Sequence, residues 1–231
     1  MSAEIKKMLE KIKKQGREVL TYEESRKIID LAGLQLNKMA LATNAEESIE
    51  KAREVGYPIA LKIVSEDVIH KSDAGGVKVG IKSDGELKKS YEDMMVSIKK
   101  HYPTAKVDGV SIEEMVEGVE VLIGSMTDSQ FGKMIALGIG GIFTELYKDV
   151  TFRLIPIIKE DVKEMINEIK GKKLFEGFRG FPPVKKDELI SLMLKISKLV
   201  EENPIIKEMD LNPVVATEKG LITIDARIIL E

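Results

Sequence analysis

The chain has 231 residues, 36 Lys and Arg against 39 Asp and Glu, two histidines, and neither cysteine nor tryptophan. That length suffices for a packed core in one large α/β unit or two small lobes, and the missing cysteine excludes disulfides, thiolate metal sites, iron–sulfur clusters and thiol catalysis. A net charge of −3 with both signs interspersed is not the footprint of a protein that coats nucleic acid. The opening MSAEIKKMLEKIKKQ has no apolar h-region, and no stretch approaches the roughly 20 apolar residues of a membrane span. The expectation is a soluble, cytoplasmic chain with no nucleic-acid or membrane partner.

Ile5, Met8, Leu9 and Ile12 recur at helical spacing and predict an amphipathic helix over 4–14. Thr21 with Glu24 three residues on reads as a capping box, opening a helix that ends near Gly33. A third helix runs from Asn44, with Glu47 three residues on, to Gly56, and Pro58 prevents its continuation. The period then changes. The apolar run 59–64 and the alternation Val77, Val79, Ile81 read as strands, separated by the polar, glycine-bearing segment 65–76. Residues 86–100 form a helix closed by Tyr102-Pro103. From 110 to 151, runs rich in β-branched residues and punctuated by glycine (GVSIEEMV, EVLIGSM, MIALGIGGIFTEL, VTFRLIP) predict several antiparallel strands. Helices over 160–170 and 187–202 follow, then strands over about 206–216 and 221–230 joined at 217–220. Without strict βαβ alternation, the fold class is α+β, with a lobe boundary near Val116-Glu117-Gly118.

Five constellations could carry chemistry. Lys62 shares a strand face with Ala60 and Val64, so an ammonium emerges from an apolar row. It can present a point charge to phosphates, or it can guard a sheet edge. His70 lies in HKSDAGGVK beside Gly75-Gly76. Glycines let backbone N–H groups approach phosphate oxygens, a neutral imidazole accepts a phosphoryl group near pH 7, and Asp73 could orient the other ring nitrogen. The alternative is a surface histidine in a turn. His101, at a helix end, gains no role beyond contact with the helix C-terminus. In Glu113 to Glu120, EEMVEGVE, the backbone of Met115 and Val116 could meet an adenine edge and the acids the ribose hydroxyls, or the acids are simply solvated. Gly138-Ile139-Gly140-Gly141, before Thr144-Glu145, is a glycine loop that matches neither a dinucleotide fingerprint nor a P-loop.

The fifth constellation rests on register. Asp210 and Asn212 are two apart and so share a strand face. If 218 and 219 form a two-residue turn, 212 pairs with 225 and 210 with 227. Asp225 then joins Asp210 and Asn212, three hard oxygen side chains suited to a Mg²⁺ that bridges nucleotide phosphates. A bulge at Gly220 would shift the register by one residue. The structural alternative is a polar cluster with an Asp210–Arg227 ion pair.

Three segments, GYPIALKIVSEDVIHKSDAGGVKVGIKS, GSMTDSQFGKMIALGIGGIFTELYKDVTFRLIP and IKEMDLNPVVATEKGLITIDARIIL, in that order and spacing, resemble the ATP-grasp β subunits of archaeal ADP-forming acyl-CoA synthetases. These are relatives of the succinyl-CoA synthetase β chain, and the resemblance runs from about Thr21 to Glu231. It implies two α/β lobes, 21–116 and 117–231, sandwiching ATP or ADP with Mg²⁺, and the helical segment over 1–20 precedes them. It implies Lys62 at the phosphates beside the loop glycines Gly75 and Gly76, and a transiently phosphorylated His70. It further implies Met115 and Val116 at the adenine with Glu113 and Glu120 nearby, and Asp210, Asn212 and Asp225 at the metal. Asp210 stands where succinyl-CoA synthetases carry the longer Glu. Gly138 to Glu145 and Arg153 look like that family's glycine loop and its flank.

The implied reaction is acyl-CoA + ADP + phosphate ⇌ carboxylic acid + CoA + ATP, through an acyl phosphate and a phosphohistidine. With no CoA-binding domain visible, the resemblance implies a partner α subunit in an α2β2 heterotetramer. A stand-alone ATP-grasp ligase would explain Lys62 and the acidic cluster but leave His70 idle. A regulatory module, like those fused to some protein acyltransferases, would not need Lys62, His70 and Asp210 together.

Overall fold

The computed structural model describes residues 2–65, 67–68, 71–141, 148–177 and 180–231. Two compact units form, one from Met1–Leu36 with Val116–Glu231 and one from Asn37–Met115, and each has its own apolar core. No helix among the described residues is long and apolar enough to cross a membrane.

Helices α1 (Ser2–Lys14) and α2 (Tyr22–Leu31) open the larger unit. The capping box forms as expected: the Thr21 hydroxyl accepts from the Glu24 N–H at 3.2 Å, and the Glu24 carboxylate accepts from the Thr21 N–H at 2.9 Å. Arg17 donates to the same carboxylate at 2.6 Å and holds it below the usual range. Residues 21–36 were expected with the lobe that follows them. Instead Ile28, Ile29 and Leu34 join Ile5, Leu9 and Ile12 in the core of the larger unit, because that core completes the apolar stripe of α2.

The smaller unit contains β1 (Met39–Ala42), α3 (Ala45–Val55), β2 (Ile59–Val64), β3 (Val77–Ile81), α4 (Asp84–His101) and β4 (Gly109–Glu114). Its antiparallel sheet runs β1-β4-β2-β3. Asn44 caps α3, accepting from Glu47 N–H at 2.9 Å, and Ser83 starts α4 two residues earlier than its apolar pattern suggests. Ile59, Leu61 and Ile63 pack with Ala52, Val55, Leu87, Met94 and Ile98, which turns Ala60, Lys62 and Val64 to the other face. β2 is bonded on both sides, so Lys62 is not an edge guard.

The larger unit continues with β5 (Val119–Asp128), β6 (Gly132–Ile139), β7 (Val150–Leu154), α5 (Lys159–Glu168), a 3₁₀ turn over Lys172–Glu176, α6 (Lys186–Glu202), β8 (Ile206–Thr217), β9 (Gly220–Thr223) and β10 (Arg227–Leu230). The sheet order is β10-β8-β5-β6-β7, with β9 also paired to β8. Leu189, Met193, Ile196 and Val200 of α6 share one core with Val121, Ile123, Leu137, Leu211 and Val214 of the sheet. The opposite face carries a cross-strand row that reads Arg227, Asp210, Gly124, Ala136, Phe152.

The final strand, read as continuous over 221–230, breaks at 224–226. Proline explains the break. The Ile224 N–H donates to the Pro213 carbonyl at 3.0 Å, but Pro213 has no N–H to return. The Ile224 carbonyl accepts instead from the Tyr22 hydroxyl at 3.2 Å and from Arg26 at 3.4 Å.

Candidate functional site

On the larger unit, Thr217 pairs with Gly220, Ala216 with Leu221, Val215 with Ile222 and Val214 with Thr223, around a two-residue turn at 218–219. Arg227 pairs with Asp210 in the same register, and the Ile224–Pro213 bond carries it across the gap. No bulge intervenes at Gly220, so position 225 falls opposite 212. Asp210, Asn212, Asp225 and Arg227 are exposed, while Met209, Leu211, Ala226 and Ile228 between them are buried. The alternation puts the four polar side chains on one face.

Asp210 stands at a depression of about 330 Å³ lined by Gly124, Met126, Ala136, Glu208 and Arg227. Although the residue reaches solvent, desolvation where its carboxyl meets the depression, and then the Asp225 carboxylate, push that carboxyl above the usual range, while Arg227 pulls it down. The ion pair of the structural alternative does not form: among the described residues Arg227 has neither a hydrogen bond nor an ion-pair partner.

Two carboxylates that repel one another beside an amide oxygen are a donor set that a divalent cation relieves. No group of three His, Cys, Asp or Glu side chains able to cage a metal occurs among the described residues. The set is therefore too sparse for an all-protein Ca²⁺ cage, and it fits Mg²⁺, which keeps water and phosphate oxygens as its other ligands.

Glu120 lies on the same face, at the start of β5. The Gly140 N–H donates to its carbonyl at 2.8 Å, and a Cβ at Gly140 or Gly141 would stand 2.7 Å from the Glu120 side chain. These glycines let the backbone close over Glu120. Thr144 and Glu145 lie outside the described residues. Arg153 points the other way, to α5, donating to Glu168 at 2.6 Å and Glu164 at 3.3 Å.

On the smaller unit, the Lys62 ammonium donates to Glu113 Oε2 at 2.7 Å, and the Ser111 hydroxyl to Glu113 Oε1 at 2.8 Å. Glu113 is only 1% exposed. It neutralises and aims Lys62, in place of the ribose contact expected of it. Sequence reasoning missed Ser111, although its place two residues before Glu113 on one strand face was a usable signal. The Met115 N–H donates to the Pro58 carbonyl at 3.3 Å, and the Met115 thioether accepts from the Gly80 N–H at 3.0 Å. With its N–H so engaged, the Met115 backbone has its carbonyl to offer a ligand among the described residues. Val116 follows at the crossing into the larger unit.

His70 lies outside the described residues. The turn after it is described, and it reassigns the glycine pair. The Gly75 N–H donates to Ser72 O at 3.0 Å and the Gly76 N–H to Lys71 O at 2.7 Å, so both donors close the turn and neither is offered to a phosphate. A Cβ at Gly76 would lie 2.7 Å from Ile63 Cγ2. Gly76→Ala is expected to destabilise the chain by about 1–3 kcal/mol in denaturant unfolding; unchanged stability would refute the packing role.

Residues 11–230 match the family model described as an ATP-grasp domain. The β subunit of acetate–CoA ligase [ADP-forming] II from Pyrococcus furiosus is 43% identical, and the match covers all of both chains. A solved Ca. Korarchaeum cryptofilum dinucleotide-forming acetyl-coenzyme A synthetase 1, in complex with coenzyme A and Ca-AMPCP, aligns with a TM-score of 0.90 at 41% identity, covering 98% of this chain and 99% of that one. A second structure of that enzyme holds Mg-AMPPCP, with its phosphohistidine segment pointing towards the nucleotide site (TM-score 0.83, 39% identity, 98% and 100% covered). With the Asp210–Asn212–Asp225 face in place and these matches spanning its length, the chain belongs to the ATP-grasp family, among the β subunits of ADP-forming acetate–CoA ligases.

Proposed function

We propose that the chain is the nucleotide-binding subunit that interconverts ADP and ATP in the reaction acyl-CoA + ADP + phosphate ⇌ carboxylic acid + CoA + ATP. The observation that carries this reading is the Asp210–Asn212–Asp225 face, set in register on a chain that matches β subunits from end to end.

Asp210, Asn212 and Asp225 would hold the Mg²⁺. When bound, the ion neutralises phosphate charge and stabilises the leaving oxygen. Lys62, aimed by Glu113 and Ser111, places a fixed ammonium at the phosphates. The main chain at Met115 and Val116 takes the adenine edge, and Glu120 takes a ribose hydroxyl. His70 is the relay: its neutral ring nitrogen forms the N–P bond as the phosphoryl group leaves an acyl phosphate, releasing the carboxylic acid. That bond breaks as a β-phosphate oxygen of ADP attacks, giving ATP. Both transfers depend on in-line placement and charge neutralisation rather than on a strong base.

The two Pyrococcus furiosus relatives are named as β subunits, and the coenzyme A of the solved neighbours belongs to those proteins. They support an α subunit that carries the CoA and acyl-phosphate chemistry; the two chains assemble, on this reading, as α2β2 in the cytoplasm. The chain mixed with such an α subunit, acetyl-CoA, ADP, phosphate and Mg²⁺ is expected to release CoA and form ATP in equal amounts, and neither chain alone is expected to do so. ATP-dependent joining of a carboxylate to an amine by this chain alone would overturn the reading in favour of a stand-alone ligase.

A further inference from the structure

We infer that Arg227 is a catalytic residue that grips the transferring phosphoryl group; this rests on the reading of the Asp210 face as the metal–phosphate site. Arg227 lies directly across β8 from Asp210 and two residues after Asp225, so its side chain rises on the same face as both carboxylates. The other described arginines are engaged. Arg17 pairs with Glu24, Arg53 with Asp84 and Arg153 with Glu168, and Arg26 donates to Tyr22 and to the Ile224 carbonyl. Arg227 alone among them has no hydrogen-bond or ion-pair partner, although a carboxylate stands opposite it.

The space beside it is a built one. Continuing across the sheet from Asp210, the next positions in the row are Gly124 and Ala136, which floor the depression of about 330 Å³ with almost no side chain. Asp210 and Glu208 line the same depression, so a phosphoryl group entering it meets two acids. Among the described residues of that lining, the guanidinium is the one positive side chain. Its fork can hold two non-bridging phosphoryl oxygens at once, which an ammonium cannot do. The strand that carries it is fixed on both edges, by β8 and by the chain at 18–20, where Leu20 N–H donates to Ile228 O at 3.1 Å and Leu230 N–H to Glu18 O at 2.7 Å. A group that must meet a moving phosphoryl group from a set position needs such support.

The test compares Mg-AMPPCP with Mg-ADP by calorimetry on the full chain, and turnover with the α subunit, in wild type, Arg227→Met and Arg227→Lys. Arg227→Met is expected to bind Mg-AMPPCP about 10–100-fold more weakly and Mg-ADP within about threefold of wild type, with kcat falling at least as far as AMPPCP affinity. Arg227→Lys should recover only part of both losses, because charge returns without the fork. Equal weakening of both nucleotides would overturn the assignment in favour of a general phosphate attraction, and unchanged binding and turnover would overturn it outright. Failure of the wild type itself to bind Mg-AMPPCP would instead sink the functional reading beneath it.

Discussion

Lys62→Met is expected to lower turnover about 10²–10³-fold, as removal of one preorganised positive partner of a reacting phosphate does. The same substitution is expected to destabilise the chain by about 3 kcal/mol. That loss has nothing to do with nucleotide: it follows from leaving Glu113, 1% exposed, as a buried carboxylate whose ammonium partner is gone. The figure sits at the low end for a broken buried pair, because Lys62 keeps a quarter of its side chain in solvent. The double variant Lys62→Met/Glu113→Gln separates the two effects. A neutral amide still accepts from Ser111 and no longer needs a cation, so stability should return while turnover stays lost. Denaturant unfolding and steady-state rates on the three proteins read this directly. A double variant as unstable as Lys62→Met would show that Glu113 is not the cause.

Asp210→Asn is expected to weaken Mg-nucleotide binding at least ~10-fold and at the same time to raise the melting temperature of the metal-free protein at neutral pH. Burial and the Asp225 carboxylate raise the folded-state pKa of Asp210. A carboxyl whose folded pKa is raised penalises the folded state once it ionises. The penalty is absent below the unfolded value of about 3.9, grows as pH rises towards the folded value, and is complete above it. The stabilisation by Asp210→Asn should therefore be present at pH 7 and vanish below about pH 4. Asp225→Asn should show the same loss of metal and a smaller gain, since it removes only the second cause. Excess Mg²⁺ with nucleotide should reverse the order of stability between wild type and Asp210→Asn. A melting temperature of Asp210→Asn below wild type in chelator at pH 7 would contradict this account of the site.

Much of this was legible in residue order. The capping box at Thr21, the strands at 59–64 and 77–81 and the 217–220 turn are local signals, and the hairpin register follows from the turn by counting, so the pairing of Arg227 with Asp210 was readable before any coordinates. What resisted reading was tertiary. β1 is four residues with no clear alternation, and only pairing with β4 makes it a strand. Residues 21–36 were grouped with the lobe that follows them in the chain, but their place is decided by which core accepts Ile28 and Ile29. Glu113 looked like one more solvated acid in an acidic run, until β4 turned it inward beneath Lys62. The glycines at 75–76 suggested a phosphate cradle because sequence reveals conformational freedom but not where the N–H groups point. Arg227 was placed correctly opposite Asp210, and whether the two would pair was not legible, since register brings two residues opposite without bringing their charges into contact.

A phosphoryl relay through His70 leaves a covalent mark on the protein. Wild type and His70→Ala, each with the α subunit, would be incubated with γ-labelled ATP and Mg²⁺, and the protein-bound label tested for acid and base stability and chased with unlabelled ADP. The account predicts an acid-labile, base-stable label on the wild-type chain that returns to ADP as ATP, and none on His70→Ala, which should still bind Mg-AMPPCP. Absence of label from the wild type with its partner, or label undiminished in His70→Ala, would contradict it.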